Sequence, residues 1–281
     1  LAYFYTEAGR TNEAIKFYKK RGKNITKNLI KVAKNLVNQG KFSAAEKALS
    51  EALKHQRNSQ EALEINLQLL SLYDRFGRYK KHNGASKIVF NEFKKGRLVP
   101  DQFEILKYHV TKMSALLQKQ VTGKAYKSNK KILNKKATLA VSYFEMLSVI
   151  NPKSSHKALF FAGETYYANK QFEKSLEFYE KAQEKSKLVN DKKIENLAFN
   201  AMMSALASKG ISKKIKDKYL VKVYITFLKR NPKGKKANTI FQRLFSIYYD
   251  KNDIQNAEVT LLAYKKNFPR RNKTIEAMLA R

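Results

Sequence analysis

The sequence predicts an all-α chain of stacked antiparallel helix pairs, and three observations carry that expectation. Apolar residues recur at helical spacing, for example at Leu63, Leu67, Leu70 and Tyr73. Ten glycines and four prolines in 281 residues are too few for the tight turns of an all-β fold. One multi-point pattern of small and large apolar residues returns several times along the chain, which is the mark of a repeat architecture.

The pattern is clearest at Leu159, Ala162, Gly163, Tyr166, Ser175, Tyr179 and Ala182. The same spacing gives Leu29, Val32, Ala33, Leu36, Ala45, Leu49 and Ala52, and again Phe241, Leu244, Phe245, Tyr248, Ala257, Leu261 and Tyr264. A truncated copy opens the chain with Leu1, Ala2, Tyr5, Ala14 and Tyr18. Ala140, Phe144, Leu147 and Pro152 carry the second-helix half of the pattern, as do Tyr224, Phe227 and Pro232. Pro100, Pro152, Pro232 and Pro269 all fall where one pair should end and the next begin, since proline lacks the amide donor and disfavours helix in its predecessor.

This pattern resembles the tetratricopeptide repeat (TPR), a unit of about 34 residues with the form W-x2-L-G-x2-Y…A-x3-F…P. The resemblance covers nearly the whole chain, with degenerate copies and no tryptophan at the first large position. It implies a right-handed α-solenoid, with residues 1–281 forming one continuous superhelix of about seven helix pairs. The chain is expected to be a fragment of a longer protein, starting and ending within repeats.

The elements follow in order. Leu1 to Tyr18 hold the truncated copy, and Leu29 to Ala52 the next, with a capping box in Ser43 and Glu46. Residues 61–97 keep Tyr73 and Gly77 but place His82 where a small residue is expected. Residues 101–152 contain a basic insertion at 118–136, "QKQVTGKAYKSNKKILNKK". Leu159 to Lys187 form the best copy, and residues 191–232 carry a longer turn around "SKGISKKIKDK". The final copy, Phe241 to Tyr264, precedes a partial helix, "NKTIEAMLAR". Ser154, Ser212 and Asp253 read as N-caps. About fourteen full helices and a partial one are expected. Gly163, in the middle of an apolar stripe, reads as a small residue that lets paired helix axes approach closely.

The composition narrows function. A net charge of +35 favours acidic partners and polyanions, although lysines on solvated helix faces are also ordinary. No acid occurs between Ile105 and Phe144, where nine lysines stand. Without cysteine there are no disulfides and no Cys-ligated zinc. His55, His82, His109 and His156 lack metal-ligand spacing and read as surface or capping residues, so no metal or cofactor is expected. Phosphate loops, G-x-S-x-G and H-E-x-x-H are all missing, so the chain is expected to be non-enzymatic. No apolar run reaches the roughly 18 residues of a membrane span.

The resemblance implies a protein-protein interaction scaffold or adaptor that takes a partner protein or peptide, acidic ones included, in a concave groove lined by the first helix of each pair. The groove residues it implies are Tyr3, Thr6, Lys27, Ile30, Lys34, Asn38, Ser71, Asp74 and Arg75, then Phe160, Glu164, Tyr167, Gln242, Ser246 and Tyr249. Chaperone-binding members hold a C-terminal carboxylate with Lys and Asn, but Phe160 and Glu164 occupy those places here. The alternative is a polyanion binder, for nucleic acid, an anionic envelope polymer or an acidic protein segment. Its basic patches would be Lys124, Lys127, Lys130, Lys131, Lys135 and Lys136, with Lys213, Lys214 and Lys216. Family analogy and the lack of cysteine lean to a bacterial envelope or periplasm, with cytoplasm as the alternative.

Overall fold

The computed structural model describes residues 4–5, 8–123, 129–234 and 236–280. Among them, every regular element is helical. They fall into two compact units, Leu1–Pro152 and Lys153–Arg281.

The first unit contains α1 (Thr11–Arg21), α2 (Ile25–Asn38), α3 (Phe42–Lys54), α4 (Ser59–Arg75), α5 (Tyr79–Lys94), α6 (Pro100–Thr122) and α7 (Lys130–Ile150). α2 and α3, α4 and α5, and α6 and α7 pack as hairpins. The pairs stack because first helices touch first helices, α2 on α4 and α4 on α6, while α5 meets α7. A helix pair buries only one side of itself, and the next pair covers the other. The resulting core runs without a break from Ile15 through Leu36, Leu70 and Met113 to Met146.

The second unit contains α8 (Ser155–Ala168), α9 (Phe172–Leu188), α10 (Lys192–Leu206), α11 (Lys213–Arg230), α12 (Ala237–Asp250), α13 (Ile254–Asn267) and α14 (Asn272–Leu279). α8 with α9 and α12 with α13 are tight hairpins. α10 packs far more extensively on α9, and also reaches α8, than it does on α11.

The recurring pattern has a recurring turn beneath it. Gly40, Gly77, Lys170 and Asn252 occupy one repeat position, and all four have left-handed backbone, with φ of 70°, 62°, 58° and 57°. In each case the next residue's amide returns to a carbonyl near the helix end, Lys41 to Leu36 at 2.8 Å and Gln171 to Tyr166 at 2.9 Å. Arg78 to Tyr73 and Asp253 to Tyr248 repeat the bond, which closes the helix C-terminus in the manner of a Schellman turn.

The prolines stand at junctions: Pro100 is the first residue of α6 and Pro152 opens a short 3₁₀ turn. Asp253 caps α13 through the Asn256 amide. Three expected caps differ. Ser154 and Ser212 hold the N-cap places of α8 and α11 without a side-chain bond. α3 begins at Phe42, so Ser43 and Glu46 lie inside it and form no capping box. Glu46 instead reaches α4 and α5, accepting from Tyr73 at 3.2 Å and pairing with Lys81.

Candidate functional site: a groove over the first helices of unit 1

Where α2, α4 and α6 lie side by side, their exposed faces leave two depressions. One, of about 560 Å³, lies between α4 and α6 and is lined by Ser71, Asp74, Arg75, Ile105, Tyr108 and Lys112 among others. The other, of about 270 Å³, lies between α2 and α4 and is lined by Lys34, Val37 and Asn38. Gln68, Ser71 and Arg75 belong to both, so the two form one trough across α4. Tyr108 and Ile105 present 57% and 39% of their surfaces there, an apolar offering beside cations.

Of the sequence-predicted groove residues, Lys34, Asn38, Ser71, Asp74 and Arg75 line this trough. Lys27 is exposed on the first turn of α2. Ile30 is corrected: it is 2% exposed and belongs to the core. α2 is covered by α1, α3 and α4, which widens its buried stripe to include Ile30 next to Leu29. Tyr3 and Thr6 lie outside the described residues.

In the second unit, Gln242 and Ser246 line a depression of about 510 Å³ between α11 and α12. Tyr249 is exposed and stacks on Phe245. Glu164 accepts a 2.6 Å hydrogen bond from Tyr179. Phe160 and Tyr167 are half-buried against that unit's core. Of the basic residues, Lys130, Lys131, Lys135, Lys213 and Lys214 are exposed, while Lys136 and Lys216 are half-buried. Lys124 and Lys127 lie outside the described residues.

Three histidines, two beneath the trough and one in the second unit, differ from expectation. His82, His109 and His156 are buried, at 0%, 4% and 3% exposure, and are corrected from surface or capping residues. His156 donates from Nε2 to the Asp191 carboxylate at 2.9 Å, behind the N-cap of α10. His82 and His109 meet ring to ring, Nε2 to Nδ1 at 3.3 Å. The other His82 nitrogen lies 2.6 Å from the Tyr143 hydroxyl and 3.3 Å from Ser86. The other His109 nitrogen lies 3.5 Å from the Ser71 hydroxyl in the trough. Asp74 stands 3.7 Å from His109 Nδ1 and accepts from Lys112 Nζ at 2.6 Å.

Burial disfavours charge on these groups. It drives His82 down to about 3, with the neighbouring His109 adding to the effect. His109 is lowered by burial and by Lys112, against the pull of Asp74. Burial raises Tyr143, and the Asp74 hydrogen bond raises Lys112. The order Ser71, His109, Asp74 matches that of an acyl-transfer triad, but the 3.7 Å separation is too long for a hydrogen bond. His82 already occupies His109 Nδ1, and Ser71 sits within α4, where amides are engaged along the helix.

A sequence signal for this cluster existed. His82 and Ser86 take the repeat positions held by Ala45 and Leu49, so the large and small residues exchange places, and His109 takes the position of Val32. Exchanging sizes preserves volume while installing polar atoms in the core.

No family model and no curated protein sequence matches the chain. Solved structures with a similar course include the C-terminal part of a TPR repeat-containing protein from Cytophaga hutchinsonii. It is 16% identical, with 98% of this chain and 97% of that one covered, at a TM-score of 0.28. A signal-transduction ATPase with a tetratricopeptide repeat sensor, from Pyrococcus horikoshii, is 16% identical over 90% of this chain and 43% of that one, at 0.27. A circular tandem repeat protein is 11% identical over 99% and 64%, at 0.28. Likeness at this level carries no argument about activity or partner. The helices themselves define the class: an all-α helical-repeat protein built from stacked pairs.

Proposed function

We propose that the chain is a non-enzymatic interaction scaffold of TPR-like design, and that a partner's peptide segment docks in the trough over α2, α4 and α6. The observation that carries this reading is the continuity of the trough through Gln68, Ser71 and Arg75. A segment laid across three first helices can bury apolar side chains against Tyr108, Ile105 and Val37 while its charges meet Lys34 and Arg75. A few such anchors supply most of the affinity in interfaces of this kind, and electrostatics sets the encounter rate.

Affinity capture with purified chain, followed by titration of the recovered partner, tests it. Replacing Tyr108 with Ala and Arg75 with Glu should weaken binding at least tenfold, with little dependence on salt. Unchanged affinity in that double variant would sink the reading.

One observation favours a second reading. Lys130 and Lys131 open α7, and Lys213 and Lys214 open α11, all exposed on helix N-terminal turns where positive charge opposes the helix dipole. Residues that weaken their own helix suit a surface built to receive a polyanion. Under that reading, affinity falls steeply with salt, on duplex DNA with a log–log slope of about −0.9 per phosphate neutralised. Changing Lys130, Lys131, Lys135 and Lys136 to Glu should weaken it while leaving the trough intact.

A further inference from the structure

We infer that the His82–His109 pair is a proton switch beneath the trough: it accepts one proton, places that charge on His109 against Asp74, and releases Lys112 into the groove. The inference rests on the proposed groove for its biological consequence, but its test needs no partner. His109 is faced by Ser71 and Asp74 from α4, by His82 from α5, and by Tyr108 and Lys112 on its own helix; α7 contributes Tyr143 behind His82.

The stoichiometry follows from the contact. Two neutral rings carry two N–H groups on four nitrogens, and the 3.3 Å contact between them uses one proton, shared between a donor and a lone pair. A single added proton can enter at an outer nitrogen, towards Tyr143 or Ser71, and leave the shared contact intact. A second would set N–H against N–H at 3.3 Å in a buried site, so it is refused. The single charge settles on His109, because the Asp74 carboxylate lies 3.7 Å from its Nδ1. His82 is walled in by uncharged Tyr143 and Ser86.

The charged ring then repels the Lys112 ammonium across the same carboxylate, while His109 Nδ1–H stays with His82. Lys112 is 43% exposed and can exchange Asp74 for water, whereas buried His109 cannot. The ammonium swings free at the rim, and the trough gains one positive charge. An anionic segment in the trough would draw the proton in, so acidification would favour acidic partners.

Imidazole nitrogen NMR of the free wild-type chain tests this. As pH falls below 6.5, His109 should charge while His82 stays neutral, and the Lys112 and Tyr108 signals should move with the same midpoint. In Asp74→Asn the midpoint should drop by at least one pH unit, and the Lys112 response should vanish. Independent titration of both rings, or Lys112 and Tyr108 signals indifferent to the His109 midpoint, would overturn the switch. A groove without a partner would leave these results untouched.

Discussion

A methyl group placed on Gly163 would lie 2.6 Å from two carbons of the Tyr179 ring, closer than real contacts allow. Tyr179 is fully buried and its hydroxyl is held by Glu164 one residue from the glycine, so the ring has no room to withdraw. Gly163→Ala should therefore destabilise the second unit by about 1–2 kcal/mol, overpacking of about 1–3 offset by up to about 1 of helix propensity. Chemical denaturation checks it. In a Tyr179→Leu background the same change should become neutral or stabilising.

Lys170 occupies the left-handed turn position that Gly40 and Gly77 fill without strain. An L side chain there costs about 1–2 kcal/mol, part of which glycine's extra chain entropy returns. Lys170→Gly should raise stability by about 0.5–1 kcal/mol, read as a higher denaturation midpoint with an unchanged slope. Gly40→Ala should lose a comparable amount.

Acid should weaken the first unit before its carboxylates titrate. The folded values of His82 and His109 lie below the ordinary 6.5, so the unfolded chain binds protons that the folded one resists. The full stability is present above about 6.5 and falls as pH drops towards the His82 value of about 3. The slope is about 1.4 kcal/mol per pH unit for each proton refused. Denaturation at pH 7, 6 and 5 measures it, and a His82→Gln, His109→Gln variant should lose that part of the slope.

Arg230 and Glu195 tie α11 to α10 where the helices otherwise meet little. Glu195 is 3% exposed and is also reached by Lys192 at 3.2 Å, while Arg230 remains 37% exposed. Arg230→Ala should cost about 1–3 kcal/mol, less than the 3–5 of a wholly buried pair because Lys192 remains. Replacing both Glu195 and Arg230 with Leu should cost less than removing the arginine alone, since no buried carboxylate is then stranded. Thermal melts of the three variants give the order.

Helices, junction prolines and the small-residue register were legible because each depends on local spacing. Gly163 could be read as a close-approach residue because the same slot holds Ala33, another small residue, in a second copy. Ile30 could not be placed, since its burial depends on how many neighbours cover α2. The histidines were misread for a related reason. One histidine looks the same in a core as on a surface, and only comparison with Ala45, Leu49 and Val32 reveals that two of them replace core residues. Five residues of the trough, Lys34, Asn38, Ser71, Asp74 and Arg75, were named from sequence; its α6 wall of Ile105, Tyr108 and Lys112 was not, because the insertion at 118–136 obscured the register of that copy.

Amide hydrogen exchange on the chain, free and bound to its captured partner, tests the docking trough most directly. Binding should add protection on α2, α4 and α6, concentrated around Asn38, Ser71 and Tyr108. Protection confined to the lysine-rich starts of α7 and α11, or to α3 and α5, would contradict it.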